Sequence, residues 1–173
     1  TTFSSGIIAY QILGNSLLLF ERGWITRTAG TESLAYYVIA MSLGLYLVAF
    51  STSLTLTITP LASEIETDPK RLLVLYERAT KFLGIIVTYL CVFLLLSRNI
   101  FLSTWIGPEA AIYAGGLLLI HVIAFSMHSL SIISWQMREG LGFPFHNFWI
   151  YLIASTINVT ALIGLSDDLG TMG

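Results

Sequence analysis

Three polar residues share one stripe near the start of an otherwise apolar chain. Gln11, Asn15 and Arg22 are spaced by four and seven, which places them on one face of a helix, and Ser4 extends that face backward. The remaining faces are Ile, Leu, Phe and Ala. Polar groups are expensive in lipid and turn toward a bundle interior or a wet cavity. Such a stripe can line a substrate path. It can equally bond neighbouring helices together, each contact being worth about 0.6–2 kcal/mol. Arg22 has a further reading, a charge snorkelling at the membrane edge.

His121 and His128 are seven apart and share a face. Two helical turns separate them by about 10.5 Å along the axis. Zn–N bonds are about 2.0–2.1 Å, so the two cannot hold one metal ion, and no metal site is expected. A proton-relay or cavity role and a packing role both remain open. Tyr151 and Asn158 are likewise seven apart. Asn158 opens a formal "NVT" glycosylation sequon, but its mid-helix place in an apolar run makes that match fortuitous. There is no Gly-rich phosphate loop, no HExxH and no GxSxG, and no paired carboxylates fall within an apolar run. The residues predict a non-enzyme without a cofactor.

The elements that must position these groups follow from composition. The chain has 173 residues, 55% hydrophobic and 10% charged, with a formal net charge of -2. Mean hydropathy is +0.81. A soluble domain carries about 25% charged residues, so the lipid bilayer is the expected solvent. The charge balance excludes a basic nucleic-acid binder. The single Cys91 lies in an apolar run and reads as a small buried residue. The chain begins without Met or a secretory signal, and reads as a piece of a longer protein cut at both ends.

A spanning helix needs about 20 mostly apolar residues. The sequence predicts an all-α, polytopic transmembrane bundle in one incomplete domain, 1–173. Five spans are expected, about 3–24, 34–59, 75–105, 110–135 and 148–165. The stretch "SLTLTIT" alternates like a strand, but the apolar run behind it favours a helix. Pro60 is expected to close the second span. Trp24, Trp105, Trp135 and Trp149 fall at span ends, where an aromatic belt would put them. An amphipathic linker, about 61–81, carries Leu72, Leu73, Leu75, Tyr76 and Ala79 on its apolar stripe. The side holding Lys70, Arg71, Arg78, Lys81 and Arg138 outnumbers the side holding Arg22, Arg27 and Arg98, and is expected to face the cytoplasm.

Four passages carry a family resemblance: "LLLFERGWITRTAGTESLAYYVIAMSL", "TPLASEIETDPKRLLVLYERATKFLGI", "FLSTWIGPEAAIYAGGLLLIHVIAF" and "REGLGFPFHNFWIYLIASTINVTALIGLSDDLGTMG". Their order of helix ends, loops and restarts resembles the polysaccharide-biosynthesis flippases. These export O-antigen and other lipid-linked oligosaccharides within the multidrug/oligosaccharidyl-lipid/polysaccharide exporter superfamily. "LAYYVIA" departs from the commoner Gly-Tyr opening of the second span. The resemblance places the chain at the start of a second lobe, helices seven to eleven, with 170–173 leading into the next helix.

The resemblance implies a multi-pass protein of the cytoplasmic membrane with two lobes rocking around a central cavity. The implied cargo is a polyprenyl-diphosphate-linked oligosaccharide, moved by alternating access, with polysaccharide polymerase machinery a candidate partner. Such cargo needs polar groups for sugars and cations for the diphosphate. Gln11, Asn15, Arg22, His121, His128 and Asn158 are the cavity candidates. Arg78 and Lys81 are candidates for first capture of the diphosphate, or else positive-inside anchors. The alternatives are a multidrug or organic-cation antiporter of the same superfamily and a non-transporting structural membrane subunit.

Overall fold

The computed structural model describes residues 2–169, and the segment 170–173, expected to lead into a further helix, lies outside them. The described residues form five helices and no strand: α1 (Thr2–Thr55), α2 (Ile58–Glu64), α3 (Pro69–Ile106), α4 (Pro108–Gly140) and α5 (Pro144–Leu169). The all-α reading holds. Four helical runs are long and apolar enough to cross a membrane, beginning with Ser4–Glu64, which takes in α2. This is a multi-pass membrane protein.

α1 is two helices merged across Gly30, whose φ of 85° and ψ of 172° lie outside helical space. That backbone is open to glycine because a Cβ would strain it. The expected loop between the first two spans is therefore a single residue. Before it, two threonines bond back to their own helix. The hydroxyls of Thr26 and Thr28 donate to the carbonyls of Arg22 and Trp24, at 2.7 and 2.9 Å. Such back-bonding gives each hydroxyl a partner within its own helix.

Pro60 does not end a helix. It sits in the first turn of α2, where its missing N–H is not needed. The break falls upstream, at Leu56–Thr57. A proline ring clashes with the carbonyl four residues earlier, here that of Leu56. "SLTLTIT" is helical on both sides of this turn. Before the turn its hydroxyls bond back to their own helix, Ser53 donating to the Ala49 carbonyl at 2.9 Å and Thr55 to that of Ser51 at 2.8 Å.

The expected amphipathic linker, 61–81, resolves into the end of α2, a short turn and the opening turns of α3. Asp68 starts α3, its Oδ1 accepting from the N–H groups of Lys70 and Arg71, both at 3.1 Å. Pro69 follows in the first turn, another start signal. α3 then runs unbroken for 38 residues, about 57 Å at the usual rise and well beyond a bilayer core of about 30 Å.

The chain divides into two compact units, Thr1–Leu34 with Gly142–Gly173, and Ala35–Leu141. In the second unit, one buried cluster joins Ala40, Leu43 and Leu47 of α1 to Leu102 of α3 and Ala114, Leu118 and Val122 of α4. Another joins Ile58 and Ala62 of α2 to Leu83 and Val87 of α3 and Ile133 and Met137 of α4. In the first unit, Gly6 of α1 lies against Pro144 of α5, and Gly14 against the Tyr151 ring. Both residue numbers rise together, so these two helices run parallel.

Candidate functional site

The polar stripe on α1 is uncovered along its first half. Gln11 and Asn15 are exposed and Arg22 is half-buried. The Arg22 Nε is shielded yet has no hydrogen-bond partner. At 100° per residue the stripe centres about 80° around the helix from Gly14, the point of contact with α5. The stripe is therefore not used to glue α1 to α5. Polar residues in the middle of an apolar helix do not face lipid at equilibrium when another surface or water is available.

α5 contributes a second polar line. Asn147, Tyr151, Ser155 and Asn158 follow one another by three or four residues and share one face. Asn147 is fully buried, Ser155 is 6% exposed and Asn158 is exposed. The Ser155 hydroxyl has no hydrogen-bond partner. The Tyr151 hydroxyl stands over Gly14, where an added Cβ would meet it at 3.1 Å. A glycine at position 14 thus makes room for the phenol. Sequence reasoning noted Tyr151 and Asn158 but missed Asn147. The signal was available, since Asn147 is one turn before Tyr151 on the same face.

The two histidines of α4 have different surroundings. His121 Nδ1 lies 2.8 Å from the Leu117 carbonyl, so it carries the proton and donates. Its ring meets Tyr37 edge-on at 5.0 Å and stacks on Phe125 at 6.0 Å. Phe125 in turn covers Gly44. His121 is a packed residue between α1 and α4. His128, two turns on, is exposed. No group of three metal-binding side chains occurs among the described residues.

Arg78 and Lys81 line different clefts. Arg78 joins Lys70 and Arg71 beside a groove of about 610 Å³ whose apolar lining includes Leu54, Val74 and Phe82. Lys81 belongs to a cleft of about 550 Å³ with Ile85, Thr88, Tyr89 and Val92. The two cations do not converge on one of these clefts.

A sequence model of the family described as polysaccharide biosynthesis protein matches residues 2–109. The chain belongs to that family. No curated protein and no solved structure matches it. The match covers α1, α2, α3 and the start of α4, and so includes the Gln11–Arg22 stripe and the basic turns of α3. Membership places this multi-pass protein in polysaccharide biosynthesis. α5, with Asn147, Tyr151 and Asn158, lies beyond the matched residues.

Proposed function

We propose that this chain belongs to a flippase of the cytoplasmic membrane. It carries a polyprenyl-diphosphate-linked oligosaccharide to the outer leaflet by alternating access. The observation that carries the reading is Arg22, whose shielded Nε lacks a partner on the same stripe as the exposed Gln11 and Asn15. A guanidinium suits a diphosphate because its planar donors match phosphate oxygens in pairs. Gln11 and Asn15 offer amides to sugar hydroxyls, and Asn158 offers another. Arg78 and Lys81 line separate clefts, so the diphosphate is assigned to Arg22 rather than to that pair. Transport needs differential binding in two states and no chemical step.

The test uses the full-length protein in its own host. Deleting the gene should leave complete lipid-linked repeat units on the cytoplasmic leaflet. Restoring the gene should clear them, and an Arg22→Ala gene should not. Clearance by Arg22→Ala would return Arg22 to a membrane-edge anchor. A deletion strain that accumulates nothing but becomes sensitive to cationic dyes would replace this reading with the antiporter.

A further inference from the structure

The groove beside Arg78 combines two chemistries. Leu54, Thr55 and Ile58, from the end of α1 and the start of α2, form one side, and Val74, Leu75, Ala79 and Phe82 of α3 form the other. Leu54, Val74 and Phe82 are 40%, 44% and 59% exposed, so this trough is open. Thr55 adds little polarity, because its hydroxyl donates to the Ser51 carbonyl in its own helix. Lys70, Arg71 and Arg78 stand along the trough, and no carboxylate lines it. Asp68 holds the Arg71 Nε at 3.2 Å. Even with that charge counted, the groove keeps a positive excess.

The cations and the apolar wall are ordered along α3. Lys70 and Arg71 come first, Arg78 two turns later, and Phe82 beyond it. Arg78 lines the same groove as Lys70 and Arg71, two turns further along the helix. Its alkyl stem lies on apolar surface while its head seeks water or anions. A ligand matched to this order has an anionic phosphate at one end and a hydrocarbon tail at the other. Its tail would run toward the part of α3 that crosses the membrane.

We infer that this groove is a binding site for an anionic phospholipid of the surrounding bilayer. The phosphate sits among Lys70, Arg71 and Arg78, and an acyl chain lies along Leu54, Val74 and Phe82. Basic pockets between membrane helices bind anionic headgroups through this pairing of charge with an apolar trough. The volume of about 610 Å³ falls within the usual range for small-ligand sites, about 300–1,000 Å³. The site is separate from the cargo assignment to Arg22 and stands whether or not that assignment does.

The experiment is native mass spectrometry of the full-length protein in neutral detergent, titrated with phosphatidylglycerol or phosphatidylcholine. Phosphatidylglycerol should be retained in preference. Arg71→Gln with Arg78→Gln should weaken its retention about 25-fold, each cation near an anionic surface being worth roughly fivefold. Arg71→Lys with Arg78→Lys should keep it, which separates loss of charge from loss of fold. Equal retention of phosphatidylcholine, undiminished retention by the glutamine variant, or equal loss in the lysine variant would overturn the proposal. So would displacement by soluble glycerol phosphate at the same concentration, or retention of polyprenyl diphosphate in place of phospholipid.

Discussion

Gly140 of α4 sits against the backbone carbonyl of Thr59 in α2, with no room for a side-chain carbon between them. The Thr59 hydroxyl completes the contact by donating to the Gln136 carbonyl at 3.4 Å. Helices approach this closely only where one of them lacks a Cβ, a device common in membrane bundles. It brings Ile58 and Ala62 onto Ile133 and Met137 and so closes the second buried cluster.

Gly140→Ala should therefore destabilise the protein by about 1–3 kcal/mol, the usual penalty for overpacking. The obstacle is main chain, which cannot swing aside like a flexible side chain. Gly116→Ala is the control, since a Cβ there meets nothing within 4 Å. Thermal unfolding in detergent should show a lower midpoint for the first variant and no loss for the second. Equal midpoints would remove the close contact.

Asn147 is fully buried on the face of α5 that also bears Tyr151. Asn147→Leu should lower stability by about 1–3 kcal/mol, because a leucine can make none of the hydrogen bonds open to a buried amide. Asn158→Leu, at an exposed position of the same face, should leave the melt unchanged. A leucine at 147 that melts like the wild type would show that the buried amide has no structural role.

His121→Phe separates packing from proton transfer. Phenylalanine keeps an aromatic ring against Tyr37 and Phe125 but cannot titrate. Stability should fall by about 0.5–1.5 kcal/mol, the usual net worth of a hydrogen bond such as the one lost to the Leu117 carbonyl. Clearance of lipid-linked intermediates in a complemented deletion strain should continue. Export abolished in a variant that melts normally would assign His121 a proton-carrying role.

Much of this was legible in order of the strength of each physical signal. Long apolar runs with little charge have one stable form in lipid, because a helix alone satisfies its own backbone there. The helices, and the shared face of Gln11, Asn15 and Arg22, follow from that and from a fixed helical period. Breaks were read less well. Pro60 marked a nearby interruption but lies inside the next helix, since a proline disturbs the residue four before it. Gly30 was one glycine among 14, and nothing local distinguished it from those that stay helical.

By itself, the sequence determined the solvent, the helical class, the polar stripe and the basic end of α3, because each depends on composition or on spacing within one segment. Only the tertiary structure decided which of these groups have neighbours. It packed His121 between aromatic rings, buried Asn147, left the Arg22 Nε without a partner and put Arg78 and Lys81 on different clefts. Helical periodicity sets the direction of a side chain. What that side chain meets depends on residues distant in sequence, which come together only when the helices pack.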